Sequence, residues 1–441
     1  MPTLGELLEL SVDNLGVCEI DSPLNKEPSL YREDDMKVMV YSHSQYFEQC
    51  IKENRPLPMF EAAGPRKKIF FDPKKLNCGI VTCGGLCPGL NDVIRTVALT
   101  LLWQYGVQTV YGFRYGYQGL SMNAVQPPMI LTPEILDGIQ HDGGTILGSS
   151  RGQQDPSEMI NTLLKYQIGV LFVIGGDGTF SGGHHLVQEI QRREVPISVI
   201  GIPKTIDNDI YGSEKTFGFS TAVGEARRSI YIAHEEAKAA WNGIGLVKLM
   251  GRDSGFIAAY ASLANSDVNF CFIPEVPICL DGENGFLKEL QERILSRRHA
   301  VIVVAEGVGR HIIDDPSMIQ KDASGNVRYK DIGMFLKDRI KCCFDQIDEN
   351  VTIKYIDPSY TIRSCPANAE DSAFCLMLGQ NAVHAAMAGK TNMFVGYWNH
   401  HFTHVPLPLA VHKRKVVDPQ GELWQTLVET IKIRRSLSAE R

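Results

Sequence analysis

The sequence lacks any apolar run of about 18 residues, the length that a membrane-spanning helix needs, which argues against a membrane partner. It also lacks a basic excess: 44 Lys and Arg residues stand against 51 Asp and Glu residues, for a net charge of -7, which argues against a nucleic-acid partner. The 11 cysteines show no paired CxxC spacing and favour reduced thiols over a zinc site. The first residues are acidic and lack the cationic start of a signal peptide. We therefore expect a cytoplasmic protein.

What the sequence does contain is a series of buried-strand patterns. Short apolar runs such as CGIVT, IGVLFVIGG and HAVIVVAEG alternate with longer amphipathic stretches, and 441 residues suffice for two compact domains. Apolar runs without polar alternation are typical of strands buried on both faces of parallel sheets, and the intervening helices indicate βαβ units. The sequence therefore predicts an α/β fold.

Interruptions of this alternation divide the chain. Residues 1–75 are rich in Pro and charge, and we predict that they form an N-terminal arm. We predict one α/β domain over residues 76–214, completed by residues 370–398, and a second over residues 215–369. Residues 399–441, which contain clustered basic residues and an amphipathic stretch, are expected to form a C-terminal extension.

Four loops with a shared chemistry follow predicted strands. They are TCGGLCPG (82–89), GGTILGSSRG (143–152), GGDGT (175–179) and PKTIDND (203–209). In an open α/β sheet, ligands bind where the carboxyl ends of the strands meet such loops. Glycines let backbone amides approach an anion, and the N-terminus of the following helix adds partial positive charge. The loops therefore predict a phosphate site.

The GGDGT loop places one carboxylate, Asp177, among these predicted anion-binding amides. Because it would repel a phosphate unless a cation stood between them, we interpret Asp177 as a ligand of Mg²⁺ that accompanies a nucleotide. A simpler interpretation stays open, in which GGDGT is only a tight strand-to-helix turn with Asp177 as the N-cap.

The PKTIDND loop is the stretch richest in charge. Asp207 and Asp209 are two residues apart, so on an extended segment they would share a side, and their like charges call for a cation such as Lys204 or Mg²⁺. This set favours a general base beside a transferring phosphoryl group. The alternative is an Asx-rich loop that only caps itself.

Together, TCGGLCPGLN, GGTILGSSR, GGDGT, PKTIDND, MGRDSG, AEG and PSYTIR occur in the order and approximate spacing of the phosphofructokinase family, which this chain resembles over roughly residues 78–397. The resemblance implies two Rossmann-like three-layer domains with mostly parallel sheets, the first binding nucleotide and the second binding sugar phosphate. It also implies transfer of the γ-phosphoryl group of MgATP to the 1-hydroxyl of fructose 6-phosphate, a step of glycolysis. A homo-oligomer, most often a tetramer, is expected from the same resemblance.

Site residues carry over motif by motif. Asp207 would accept the proton of the 1-hydroxyl. The implied catalytic residues are Lys204, Thr205, Asp207 and Arg252. The implied contacts of the nucleotide are Gly85, Arg151, Gly176, Asp177, Gly178, Thr179 and Gly182. The implied contacts of the sugar phosphate are Thr205, Asp207, Met250, Gly251, Arg252, Glu306, Tyr360 and Arg363. The implied metal ligands are Asp177 and Asp209.

Two positions bear on the phosphoryl donor. In the family, an Asp in the fourth position of GGDG marks pyrophosphate users, because its carboxylate fills the space of the nucleotide's α-phosphate; here that position is Gly178. Lys204, in contrast, is typical of pyrophosphate users. The pairing resembles the ATP-using subgroup known from trypanosomes and some bacteria, so we predict ATP. A pyrophosphate-dependent enzyme is the alternative, and a non-catalytic regulatory subunit is a third interpretation.

The chain also departs from the family's pattern. Short bacterial members carry an Arg at the position of Gly243 that reaches the sugar phosphate of a neighbouring subunit. We expect Lys248, Lys354 or a residue of the arm to neutralise the 6-phosphate instead. Glu275 matches a position near an allosteric effector site in bacterial members, although a strand end with a cap accounts for it equally well.

Overall fold

The computed structural model describes residues 10–24, 27, 30–122, 124–313, 320–321, 327–328 and 330–431. These residues form two compact units. Unit 1 consists of the described parts of Met1–Gly218 and Cys365–Arg414, and unit 2 of those of Phe219–Ser364 and Lys415–Arg441.

The strands follow one another along the chain as short segments in the N-terminal arm and longer ones beyond it. In chain order they are β1 (Asp13–Asn14), β2 (Ile20–Asp21), β3 (Lys37–Met39), β4 (Met59–Ala62), β5 (Lys68–Ile69), β6 (Asn77–Thr82), β7 (Thr109–Phe113), β8 (Met129–Ile130), β9 (Ile168–Gly175), β10 (Ser198–Pro203), β11 (Gly243–Leu249), β12 (Phe270–Phe272), β13 (His299–Ala305), β14 (Gln320–Lys321), β15 (Val327–Arg328), β16 (Thr352–Ile356), β17 (Lys390–Thr391), β18 (Met393–Trp398) and β19 (His401–Pro406).

The helices alternate with the strands as the sequence pattern predicts. In chain order they are α1 (Ser44–Lys52), α2 (Leu90–Leu99), α3 (Pro133–Leu136), α4 (Pro156–Lys165), α5 (Asp177–Arg192), α6 (Phe219–Ala239), α7 (Phe256–Leu263), α8 (Phe286–Arg297), α9 (Arg310–Ile313), α10 (Ile332–Asp345), α11 (Thr361–Ser364), α12 (Ala369–Met387), α13 (Leu407–His412) and α14 (Glu422–Ile431). None of these helices is long and apolar enough to cross a bilayer.

Unit 1 is organised around a nine-stranded sheet with the order β3-β4-β19-β18-β10-β9-β6-β7-β8. Its five central strands, β18, β10, β9, β6 and β7, run parallel to one another, whereas the outer strands pair antiparallel. Every residue of β10 is buried, as expected for a strand that is covered on both faces.

Helices cover this sheet. On one face, Leu171 and Val173 of β9 pack into a core with Ile160 of α4 and Leu186 of α5. Because successive side chains of a strand point to opposite faces, the alternate residues of β9 face the other way. Helix α12 contacts β10 and packs closely against α2. Gly389 follows α12 with a φ of 71°, the left-handed conformation that glycine commonly adopts just after a helix.

The N-terminal arm is joined to unit 1 rather than standing apart from it. Strands β3 and β4 extend the nine-stranded sheet beside β19. On β4, Glu61 accepts hydrogen bonds from Arg66 (2.9 Å), Lys390 (2.8 Å) and His404 (3.0 Å). Burial alone would raise the pKa of Glu61, but the hydrogen bonds and charges of His404 and Lys390 outweigh it and lower that pKa to about 2. A buried charge cluster therefore fixes the arm to β17 and β19.

Unit 2 contains a four-stranded parallel sheet with the order β12-β13-β11-β16. Helices α6, α7, α8 and α10 contact its strands. The expected C-terminal extension divides between the units: residues 399–414, with β19 and α13, belong to unit 1, whereas α14 packs against α7 in unit 2. The rest of the predicted amphipathic stretch, within residues 432–441, lies outside the described residues.

Candidate functional site

The parallel register of β9 and β10 brings the GGDGT and PKTIDND loops together in unit 1. Gly175 lies opposite Pro203, and the backbone N–H of Lys204 donates to the Gly175 carbonyl (3.0 Å). The TCGG loop joins them after β6, where the N–H of Cys83 donates to the carbonyl of Ile174 (2.9 Å). The N–H of Gly84 in turn donates to the carbonyl of Ser150 (3.0 Å) in the fourth loop. All four predicted loops therefore meet at one edge of the sheet.

The start of α5 is built from the predicted nucleotide contacts. Gly176 is the N-cap residue, and the N–H groups of Thr179 and Phe180 donate to its carbonyl (3.0 Å each). The hydroxyl of Tyr117 donates to the carbonyl of buried Thr179 (2.7 Å), and the Tyr117 ring leaves no room for a side chain at Gly182. These contacts fix a helix N-terminus at the loop edge, which favours a bound anion.

Lys204 is buried beneath the TCGG loop. Its Nζ donates to the carbonyl oxygen of Gly85 (2.8 Å). Burial lowers the pKa of Lys204; the nearby charge of Asp207 acts against this shift, and that of exposed Arg151 acts with it. Lys204 thus contacts Gly85 directly and lies close enough to Asp207 and Arg151 for their charges to affect its pKa.

The expectation that Asp207 and Asp209 share a side of an extended segment is wrong. Asp207 lies in a turn, and Asn208 adopts a left-handed conformation with a φ of 53°, so the two carboxylates do not share a side as residues i and i+2 of a strand would. The hydroxyl of Thr205 organises the turn: it accepts from the N–H of Asp207 (3.1 Å) and donates to Oδ1 of Asp209 (2.8 Å). Thr205 thus contacts the backbone of Asp207 and the carboxylate of Asp209.

Asp177 is the first residue of α5, and the N-cap position belongs to Gly176, so Asp177 is not the N-cap of the alternative interpretation. Its Oδ1 accepts the N–H of Gly178 (2.8 Å). Its Oδ2 accepts from Nε (2.8 Å) and Nη2 (2.6 Å) of Arg414, a residue that the sequence analysis does not select.

The carboxylates of Asp177 and Asp209 fit a magnesium ion that is shared with phosphates. Burial raises the pKa of Asp209, the charge of Asp177 raises it further, and Thr205 and Arg414 oppose the shift. Asp209 therefore lies within electrostatic reach of Asp177. No group of three or more His, Cys, Asp or Glu side chains that could hold a metal occurs in the described part of the chain. Mg²⁺ characteristically takes one or two carboxylates and completes its coordination with water and substrate phosphates, and this donor set suits that mode.

In unit 2, the register of two parallel strands likewise brings the predicted sugar-phosphate residues together. Strands β11 and β13 are parallel, with Leu249 opposite Ala305, so the loops that carry Arg252 and Glu306 begin side by side. Burial raises the pKa of Glu306, and the positive charges of Arg252, Lys248 and Arg363 oppose the shift.

The remaining predicted residues of this group follow the same two loops and α11. Met250 and Gly251 precede Arg252, and Gly251 has a φ of 129°, a backbone conformation that favours glycine. The carbonyl of Gly251 accepts the N–H of Gly307 (3.3 Å), which ties the two loops together. The guanidinium of Arg363 lies 5.0 Å from the ring centroid of the exposed Tyr360.

Lys248, a candidate for neutralising the 6-phosphate, already has two carboxylate partners. Its Nζ lies 2.7 Å from Asp331 and 2.8 Å from Asp357. Burial alone would lower the pKa of Lys248, but these two hydrogen bonds raise it above its ordinary value. The expectation that Lys248 neutralises the 6-phosphate therefore stays a prediction, and in this structure Lys248 already pairs with two carboxylates of unit 2. Lys354 is more exposed and pairs with Glu236 (3.4 Å).

The glycine at position 243 is a packing requirement as well as a departure from the family's pattern. A Cβ there would clash with the carbonyl oxygen of Ala237. An arginine therefore does not fit this backbone. A cation that the sequence analysis missed, Arg310, lies instead beside the sugar-phosphate loop: its Nη2 donates to the carbonyl of Arg252 and to the carboxylate of Asp253 (2.6 Å).

The sequence gives little indication that Arg414 belongs to the site. Arg414 lies in HKRK, which the sequence analysis notes only as clustered basic residues in a C-terminal extension. Its partner Asp177 is more than two hundred positions away in the chain, so only the tertiary fold reveals the pair.

Glu275 acts as a cap in the described structure. Its Oε1 accepts the N–H of Gly255 at the start of α7 (2.8 Å) and the N–H of Val417 (2.9 Å). Burial raises the pKa of Glu275, and the two N–H donors oppose the shift. Of the two interpretations left open, these contacts support the cap.

Comparisons with known proteins agree on one family. The family model described as Phosphofructokinase matches residues 77–386. A curated relative from Borreliella burgdorferi, named ATP-dependent 6-phosphofructokinase, is 46% identical over 96% of this chain and 97% of its own length. A relative of the same name from Trypanosoma brucei brucei is 43% identical over 96% of this chain and 87% of its own length.

Solved structures share the fold at low sequence identity. A pyrophosphate-dependent phosphofructokinase from Marinobacter aquaeolei superposes with a TM-score of 0.65 at 19% identity and covers 83% of this chain and 92% of its own. Phosphofructokinase from Saccharomyces cerevisiae superposes with a TM-score of 0.60 at 23% identity and covers 77% of this chain and 45% of its own.

The capping role of Glu275 predicts a specific pattern of stabilities. Glu275→Ala leaves two backbone donors without their acceptor and should lower the free energy of unfolding by about 1–3 kcal/mol, whereas Glu275→Gln retains an acceptor oxygen and should stay close to wild type. The measurement is urea unfolding, with Glu283→Ala, a change at an exposed carboxylate, as the matched control. Equal midpoints for Glu275→Ala and Glu283→Ala would contradict the capping role.

Proposed function

The chain belongs to the phosphofructokinase family, and on this premise we propose that it is an ATP-dependent 6-phosphofructokinase. The enzyme transfers the γ-phosphoryl group of ATP to the 1-hydroxyl of fructose 6-phosphate and yields fructose 1,6-bisphosphate and ADP, a step of glycolysis. The observation that carries this conclusion is the identity of 43–46% to relatives named ATP-dependent 6-phosphofructokinase, over nearly the whole chain. The ATP prediction thus prevails over the pyrophosphate alternative and over a regulatory subunit.

In this reaction, we assign the general base to Asp207. Its carboxylate accepts the proton of the 1-hydroxyl while the hydroxyl oxygen bonds to the γ-phosphorus and the bond from that phosphorus to the β–γ bridging oxygen breaks. Thr205 positions Asp207 by accepting its backbone N–H, and its side chain lies at the loop edge where the phosphoryl group would bind. Lys204 and Arg252 supply positive charge to the transferring group.

Nucleotide binding is assigned to the loop edge of unit 1. Gly85, Arg151, Gly176, Gly178, Thr179 and Gly182 surround the start of α5 and the neighbouring loops. Asp177 and Asp209 would hold Mg²⁺, which neutralises phosphate charge when it is bound. In unit 2, the sugar phosphate is assigned to Met250, Gly251, Arg252, Glu306, Tyr360 and Arg363. A homotetramer and a cytoplasmic location complete the proposal.

The geometry around Lys204 and Gly178 supports ATP as the donor. The Lys204 ammonium is engaged by the carbonyl of Gly85. Gly178 is exposed, and a Cβ placed on it would meet nothing within 4 Å. The position that carries a carboxylate in pyrophosphate users is therefore open space here.

Removing the base should abolish most turnover while leaving nucleotide binding intact. Asp207→Asn retains the size of the side chain but cannot accept the proton, so kcat should fall by about 10²–10⁴-fold. Steady-state formation of fructose 1,6-bisphosphate and calorimetric binding of ATP measure the two properties separately. Asp137→Asn, a change at an exposed carboxylate of unit 1, serves as the control and should keep full turnover. Near-normal kcat for Asp207→Asn would remove Asp207 as the base.

Filling the open position should impair ATP use through charge. Gly178→Asp should lower kcat/KM for ATP by about tenfold or more, an effect of about 1.4 kcal/mol, because the new carboxylate faces the α-phosphate. Folding should be unaffected, since the site has room and a first-turn Asp suits a helix N-terminus. Gly178→Asn adds a side chain of similar size without the charge, and Gly178→Ala adds only a methyl group. Together they separate the effect of charge from that of size. Unchanged ATP kinetics in Gly178→Asp would show that the nucleotide lies elsewhere.

A further inference from the structure

Arg414 joins the two loops to which we assign the metal. Its guanidinium donates through Nε and Nη2 to the same oxygen, Oδ2 of Asp177. Its backbone forms an antiparallel bridge with Ile210, the residue after Asp209. Arg414 is therefore fixed to the PKTIDND loop by its backbone and to the GGDGT loop by its side chain.

The Asp177–Arg414 ion pair is expected to contribute little to the stability of the fold. The side chains of Asp177 and Arg414 are 40% and 36% exposed, and an ion pair with that access to water typically contributes about 0–1 kcal/mol. The position of the pair is more informative. A guanidinium stays protonated in proteins, so a permanent positive charge occupies the carboxylate that would otherwise attract a divalent cation.

We propose that Arg414 is a built-in counter-ion of Asp177 that the divalent cation of the nucleotide displaces. The inference rests on the proposed function, since it takes Asp177 as a ligand of that cation. Arg414 and the cation cannot both lie against Oδ2, because Nε and Nη2 already take both lone pairs of that oxygen and the two positive charges repel each other. Arg414 is a positioning residue here, because it acts through Asp177. Its positive charge reduces the repulsion between the Asp177 carboxylate and phosphates bound at the neighbouring loops.

The proposed role of Arg414 affects the affinity for ATP differently in the absence and in the presence of metal. When metal is absent, Arg414 shields the phosphates of ATP from the negative charge of Asp177. When the metal binds to Oδ2, Arg414 must be displaced, and its displacement subtracts part of the free energy of binding MgATP. Loss of Arg414 should therefore weaken the binding of metal-free ATP and leave unchanged or strengthen the binding of MgATP.

The test is calorimetric titration of ATP without sugar phosphate, in EDTA and in excess MgCl₂, for wild type, Arg414→Gln and Arg414→Lys. The readout is the metal ratio, defined as Kd in EDTA divided by Kd in MgCl₂. Arg414→Gln should raise this ratio by about tenfold, within the usual range of coupling between two sites. Arg414→Lys, which retains the charge, should give a value closer to wild type.

The chain offers a matched control at the other end of α5. Arg192 pairs with Glu189 through Nε (2.6 Å) and Nη2 (2.5 Å), away from the loop edge. Arg192→Gln removes a comparable ion pair and should leave the metal ratio unchanged. In an Asp177→Asn background, Arg414→Gln should also leave the ratio unchanged, because the charge that it shields is gone.

An unchanged metal ratio in Arg414→Gln would overturn the inference, including the case in which both dissociation constants rise by one factor, as they would for a direct phosphate ligand. Mn²⁺ titration of the nucleotide-free protein by electron paramagnetic resonance gives a second readout, in which Arg414→Gln should bind Mn²⁺ more tightly and equal affinities would contradict the inference. If wild type binds no ATP in either buffer, the proposed function fails, and the Mn²⁺ titration still decides the role of Arg414.

Discussion

The register between β9 and β10 is the constraint on which the candidate site depends. Because Gly175 lies opposite Pro203, the GGDGT and PKTIDND loops leave the sheet side by side and carry Asp177, Asp207 and Asp209 to one edge. Like charges at such an edge repel each other unless cations accompany them. Lys204 and Arg414 supply that charge from the protein, an arrangement that suits the proposed binding of ATP with a divalent cation.

In unit 2, a pair of parallel strands also places two loops side by side, but the side chains that meet there are different. The pairing of β11 with β13 sets the Arg252 loop beside Glu306, and Lys248 and Arg363 add further positive charge that acts on Glu306. Lys248 also forms ion pairs with Asp331 and Asp357, so carboxylates and cations alternate around Glu306.

Much of this was predictable from the sequence. The α/β class and the phosphofructokinase fold are confirmed, because runs such as IGVLFVIGG are legible as buried strands and the motifs occur in a distinctive order. The assigned roles of the site residues stay predictions. Three features could not be predicted from the sequence, each for a different physical reason. One residue, Asn208 with its positive φ, turns a segment that looked extended, strands β3 and β4 are too short to show a period, and Arg414 meets Asp177 only through the tertiary fold.

The central claim is that this edge of the sheet serves ATP. It is tested most directly by steady-state formation of fructose 1,6-bisphosphate from fructose 6-phosphate with Mg²⁺, with ATP and pyrophosphate compared at equal concentration. The account predicts a strong preference for ATP, because Gly178 leaves the space for the α-phosphate open. Preference for pyrophosphate would contradict it and would mean that Lys204, rather than Gly178, governs the choice of donor.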